Sequence, residues 1–202
     1  MENTEDQLIT EAIQGSQEAF SQLVELYHKR VFSVCYRMLG TPTAAEDAAQ
    51  ESFIRAYQAL DRYDPDRSFA TWLLSITSHY CIDQLRKKKI NFLSMDNEKY
   101  AWLAPPAQGP NPEKMALKRE KQDQVQAMLQ HLNETDRAAI ILQYWHDYSY
   151  QEIAETLDLT LSAVKSRLYR ARQALAEAWQ AEKGAPNSQQ HPERIAHESP
   201  TI

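Results

Sequence analysis

Lys165, Ser166, Tyr169 and Arg170 have the side-chain types and spacing to bind a polyanion. They share one side of a helical repeat whose other side carries Val164 and Leu168 at i, i+4. Long cations reach phosphates and guanine edges, and hydroxyls make adaptable contacts, so such a face suits a duplex groove. Arg167 and Arg172 add to the basic cluster. The residues before it supply helix-turn-helix grammar. Ser149 followed by Glu152 is a capping box, and Ile153, Ala154 and Leu157 form an inward face. Asp158-Leu159-Thr160 makes the turn, with Leu159 filling the angle between the helices. The alternative is a plain amphipathic hairpin with a solvated cationic side.

A second stretch, Phe69 to Lys89, places Ser75, His79, Ile82 and Arg86 on one stripe that runs into Lys87, Lys88 and Lys89. A broad apolar arc beside a mildly polar, aromatic-flanked stripe could take single-stranded bases, with lysines on the backbone. From periodicity alone, a core helix with a solvated basic end serves equally well.

Glu46, Asp47 and Glu51 are the carboxylates closest to an acid–base grouping. They fall at i, i+1 and i+5 of a solvated helix, and no nucleophile or ligand accompanies them, so surface charge or partner contact is the simpler reading. Cys35 and Cys81 lie inside apolar patterns and read as buried small hydrophobes; two cysteines alone do not build a four-ligand zinc site. No metal or cofactor is expected. A chain with four glycines is poorly suited to glycine-rich phosphate-binding turns. The formal net charge of −6 is unevenly spread: acids crowd 2–25 and 46–66, and the cations cluster near the two stretches above. The polar, acidic start is unlike a signal peptide, and no run is apolar enough to span a membrane, so a soluble cytoplasmic protein is expected.

The elements that must position these residues are helical throughout. Phe20, Leu23, Val24, Tyr27, Val31, Val34, Cys35 and Met38 follow a helical apolar repeat, closed by Gly40-Thr41-Pro42. A second helix is expected from a cap at Thr43, with Ala49, Phe53, Ala56, Tyr57 and Leu60 inward. A third starts at Ser68 and runs to about Lys88. Beyond a proline-rich interruption, a cap at Asn133 or Thr135 precedes an apolar segment, then short helices follow near 149–157 and 161–180. No strand alternation occurs. The fold class is all-α, in two helical domains joined by a Pro-rich linker.

Three runs together are similar to the extracytoplasmic-function (ECF) group of bacterial sigma factors, in the sigma-70 family. They are EDAAQESFIRAY from Glu46, FATWL from Phe69, and VKSRLYRAR from Val164. The resemblance covers residues 6–92 and 118–182 and implies a region-2 domain at 1–92 and a region-4 domain at 118–182, joined by the linker at 93–117; the polar composition of 183–202 is that of a disordered tail. It implies a factor that binds core RNA polymerase, directs it to promoters by reading −10 and −35 elements, and helps open the −10 DNA. By that resemblance Asp47, Gln50, Glu51 and Phe53 meet the β′ clamp helices, and region 4 meets the β flap. Lys165, Ser166, Arg167, Tyr169 and Arg170 contact the −35 element. Tyr63 lines a pocket for a flipped −10 base, and His79, Ile82, Arg86 and Lys87 complete the −10 surface. His79 stands where the family often has asparagine, and an imidazole does not reproduce asparagine's paired donor and acceptor. An anti-sigma factor is a further partner the family implies, and the free chain is expected to be a monomer. A stand-alone helix-turn-helix regulator binding duplex operator DNA is the alternative function.

Overall fold

In a computed structural model, the structure describes residues 4–94 and 112–184. Among the described residues there are eight α-helices, one 3-10 turn and no strand. None of these helices is long and apolar enough to cross a membrane.

The N-terminal half comprises α1 (Thr4–Ile13), α2 (Gln17–Leu39), α3 (Pro42–Gln58), the 3-10 turn Leu60–Arg62 and α4 (Phe69–Ser94). Helix α2 is the central post. Ser16 caps it by accepting from the Ala19 amide, and Ala19, Leu23, Tyr27, Val31, Val34, Cys35 and Met38 form its buried stripe. Gly40 ends it in the left-handed region (φ 87°), a conformation with little cost only for a residue lacking Cβ.

The cap of α3 is Thr41 rather than the expected Thr43. Pro42 takes the first helical position, where its fixed φ fits and its missing N–H is no loss, and the Thr41 hydroxyl accepts from the Ala44 amide. The inner side of α3 is mostly small, Ala45, Ala48, Ala49, Ser52 and Ala56, which lets α2 and α4 approach closely. Ile82, Leu74 and Cys81 of α4 are buried, with Cys81 Sγ 3.8 Å from Cys35 Sγ and both thiols free.

The C-terminal half comprises α5 (Pro112–Gln130), α6 (Glu134–Trp145), α7 (Tyr150–Leu157) and α8 (Leu161–Gly184). Asn133 is the cap of α6, and Ser149 and Glu152 close the capping box of α7. Of the expected linker, 95–111 lie outside the described residues, and Pro112–Leu117 are already the first turns of α5. The tail beyond Gly184 also lies outside them.

The two halves share one continuous apolar core. Helix α6 packs on α2 and α4, and α7 packs on α4. Sequence periodicity assigns each half its own inward face but carries nothing about this contact between halves.

Candidate nucleic-acid and polymerase interface

Three surfaces emerge, each set by different elements. The first is α8. Its N-terminal turn is capped by the Thr160 hydroxyl, which accepts from the Ala163 amide. Val164, Leu168 and Ala171 are fully buried against α6 and α7, which leaves Lys165, Ser166, Tyr169 and Arg170 on the outer side, all exposed. The turn before it holds Asp158 at φ 52°, a left-handed position that aspartate tolerates better than most side chains.

Arg167 is placed differently from its expected role. Its Nη1 lies 2.8 Å from Asp136 Oδ1, and Asp136 is buried and also bound by Asn133. This chain of contacts ties the middle of α8 to the cap of α6, so Arg167 positions the helix rather than facing outward. Arg172 is engaged as well: its guanidinium donates to Gln143, Tyr144 and Tyr150.

The second surface is a shallow groove of about 510 Å³ where α3, the 3-10 turn and α4 meet. Arg55, Arg62, Ser75, Ile76, His79 and Tyr80 line it. The Arg55 guanidinium sits 4.8 Å from the Tyr80 ring centre and pairs with Glu51 at 2.8 Å. Burial is the main cause that raises the Tyr80 phenol above its ordinary pKa. His79 is exposed, and its Nδ1 lies 2.9 Å from the Ser75 carbonyl oxygen. A carbonyl only accepts, so the neutral ring carries its proton on Nδ1 and presents Nε2 outward as a bare acceptor. Arg86 and Lys87 are both exposed about two turns further on, and Arg86 makes only a long, solvated pair with Asp83 (3.9 Å).

Two expected members of this surface are in the interior. Ile82 is 4% exposed and belongs to the core. Tyr63 is 9% exposed; its ring packs on Phe69 and Trp72, and its hydroxyl donates to the Arg67 carbonyl. The ring is buried in an aromatic cluster, so in this conformation Tyr63 offers no platform to a base. Arg55, Arg62 and Tyr80 line the groove instead. Sequence reasoning missed them because they come from two helices and a turn whose mutual packing no local pattern records.

The third surface is a groove of about 480 Å³ between α2 and α3, lined by Phe20, Val24, His28, Glu46, Gln50, Phe53, Ile54 and Tyr57. Phe20 and Tyr57 meet edge to face at 4.9 Å, and Ile54 and Tyr57 are exposed. Asp47 and Gln50 are exposed on α3, Glu51 is half-buried and Phe53 forms part of the groove floor. An apolar floor with an acidic rim suits a helical partner carrying cations.

A helix-turn-helix with an outward cationic helix, beside a bundle with a polar groove and a basic helix end, defines a two-domain helical DNA-binding protein. Comparisons narrow the class. The family described as sigma-70 region 2 matches residues 23–90, and that described as sigma-70 region 4 matches residues 122–175. The ECF RNA polymerase sigma factor SigW of Bacillus subtilis (strain 168) is 37% identical over 175 residues, spanning 83% of this chain and 92% of the relative. The ECF RNA polymerase sigma-E factor of Escherichia coli (strain K12) is 33% identical over 180 residues, spanning 86% and 94%. Among solved structures, CnrH in complex with the cytosolic domain of CnrY superposes with a TM-score of 0.64 at 28% identity, covering 89% of this chain and 99% of the other. The sigma factor RpoE from Bartonella quintana, solved with the anti-sigma factor NepR, shares the fold with a TM-score of 0.61 at 22% identity, covering 81% and 98%. The chain belongs to the ECF group of the sigma-70 family of RNA polymerase sigma factors.

Proposed function

We propose that this chain binds core RNA polymerase and directs it to promoters, acting in the cytoplasm as a specificity subunit rather than as an enzyme. The observation that carries the proposal is the pairing, on one chain, of two unlike nucleic-acid surfaces. Helix α8 presents protruding cations and hydroxyls suited to the −35 duplex. The groove beside His79 is concave, with the Tyr80 ring, two arginines and a basic helix end, features suited to an opened −10 strand.

Within that scheme Lys165, Ser166, Tyr169 and Arg170 read or hold the −35 element, and Arg167 keeps α8 in place through Asp136. His79 reads a −10 base through Nε2, and Arg86 and Lys87 hold phosphates. A bare acceptor pairs only with an N–H donor, so this position tells bases apart by where their donors lie and lacks the paired contact that asparagine makes with adenine. Asp47, Gln50, Glu51 and Phe53 dock the polymerase β′ clamp helices along the α2–α3 groove, and region 4 meets the β flap. An anti-sigma factor is a further proposed partner; the similar CnrH was solved with a protein partner, the cytosolic domain of CnrY.

Core polymerase capture followed by promoter-specific run-off transcription tests the proposal. Specific run-off products that need both protein and core support it. Tight, sequence-specific duplex binding by the isolated chain, with no effect on polymerase, would replace it with a stand-alone regulator.

A further inference from the structure

The seam between the two halves has an unusual composition. At the α2 end, Arg137 Nη1 donates to the Met38 carbonyl at 2.7 Å, and Gln126 Nε2 donates to the Arg37 carbonyl at 3.0 Å. These are carbonyls of the last turn of α2, which the helix itself leaves without partners. Nearby, the Arg37 guanidinium covers the Trp145 ring at 4.8 Å, and that of Arg30 covers the Tyr148 ring at 5.5 Å. Between them the chain turns at His146 and Asp147, the latter at φ 55°.

The same corner holds buried polar atoms that closure leaves unmatched. Arg137 Nε, His146 Nε2 and the Tyr148 hydroxyl lack well-formed hydrogen bonds, although Tyr148 abuts Thr71 of α4. Each such atom weakens the closed arrangement relative to a solvated one by roughly five- to hundredfold. The carbonyl contacts and apolar burial favour closure, and the unmatched polar atoms oppose it. A seam built this way is poised to open, unlike the interiors of the two halves.

Opening is also required by dimensions, if the sigma reading holds. Elements centred at −10 and −35 lie 25 base pairs apart, roughly 85 Å along B-DNA at about 3.4 Å per pair. A globule of this size is only about 40 Å across. The closed chain does not span the two elements.

We propose that the α6–α7 corner, through Arg137, His146 and Tyr148, is an intramolecular latch that docks on the α2 C-terminus and α4, holds the free chain closed, and competes with its assembly onto polymerase. The inference rests on the sigma reading. Its arithmetic is that of conformational selection: the apparent affinity for core falls by the fraction of chains that are open.

Acid gives an independent handle on the same seam. Burial, then the facing charges of Arg30 and Arg37 on α2, push the His146 imidazole down to about 4, against a smaller opposing effect of Asp147. A group held neutral in the closed state favours closure above its ordinary pKa near 6.5, and that preference is lost as pH falls toward 4. Between pH 7.5 and pH 5.5 the balance moves about tenfold toward the open state.

The test uses the full-length chain in small-angle X-ray scattering and in equilibrium titration with core polymerase. Arg137→Met and Arg30→Ala, one on each side of the seam, should enlarge the radius of gyration at unchanged helix content and tighten core binding about tenfold. A gain of binding is an effect that a merely damaged fold does not produce. His146→Leu, which removes an unmatched buried atom, should stay compact, weaken core binding severalfold and abolish the expansion at pH 5.5. Unchanged scattering in both opening variants, or weaker core binding by both, would overturn the latch. Failure of the wild-type chain to bind core would overturn the sigma reading instead, while scattering would still decide whether the seam opens as described.

Discussion

Helix α8 and the α3–α4 groove both face nucleic acid in the proposed scheme, yet they are built in opposite ways. On α8 the reading side chains protrude from a rigid, doubly capped motif, and its buried anchors Val164 and Leu168 alternate with them in one short stretch. In the groove the reading chemistry is assembled from three elements, and the strongest aromatic candidate, Tyr63, is part of the interior. The difference follows from the substrate each suits. A duplex groove accepts a convex helix, so one amphipathic segment suffices. An unpaired base needs concavity and an aromatic or cationic wall, which a single helix does not provide.

The largest expected effect tests the interior placement of Tyr63. Tyr63→Ala should destabilise the fold by about 3–5 kcal/mol, read by chemical denaturation, because it leaves a cavity against Phe69 and Trp72. Tyr63→Phe keeps the ring and should leave promoter melting, followed by permanganate reactivity of −10 thymines, close to wild type. A large melting defect in Tyr63→Phe with normal stability would return Tyr63 to the DNA surface and erase the contrast between the two surfaces.

Next comes Arg170 on α8. If it reads a guanine edge, Arg170→Ala should cost about 1–3 kcal/mol at promoters that depend on the −35 element. Promoters with an intact −10 and no −35 dependence should be spared. Equal losses at both would mean a general phosphate contact.

The scaffold of the helix-turn-helix is sharpened by its cap. Ser149→Ala should lower stability by about 1 kcal/mol in thermal or denaturant unfolding, without changing which promoters are used. Bonds from the Ser149 side chain and backbone hold the Glu152 carboxyl below its ordinary pKa. The stabilisation from that carboxylate is therefore present above the usual carboxylate range and disappears as pH falls through the lowered value. Ser149→Ala should flatten that part of the acid profile.

The smallest effect concerns His79. Its outward acceptor should distinguish bases by about 0.5–1.5 kcal/mol, the net worth of one hydrogen bond. His79→Asn restores a donor beside the acceptor and should shift the base preference toward adenine at one −10 position. Holoenzyme binding to −10 single strands carrying each base in turn would show it. An unchanged base profile would leave His79 as surface.

The sequence by itself determined what depends on near neighbours along the chain. The all-α class, the stop at Gly40, the Asn133 cap, the Ser149–Glu152 box and the outward cations of α8 are set by spacings of one to four residues, so periodicity and capping chemistry expose them. Even there, Pro42 moved the α3 cap two residues earlier, because a proline's fixed φ ranks Thr41 above Thr43. Tertiary structure alone decided which stripe of α4 faces outward, since an apolar arc as broad as this one leaves Ile82 free to face either way until the bundle closes over it. It likewise decided that Arg167 meets Asp136 rather than solvent, and that Arg137 reaches the Met38 carbonyl 99 positions away. Such pairings depend on how helices cross after the chain has turned back on itself, and a guanidinium's sequence neighbours do not record which distant oxygen it will find.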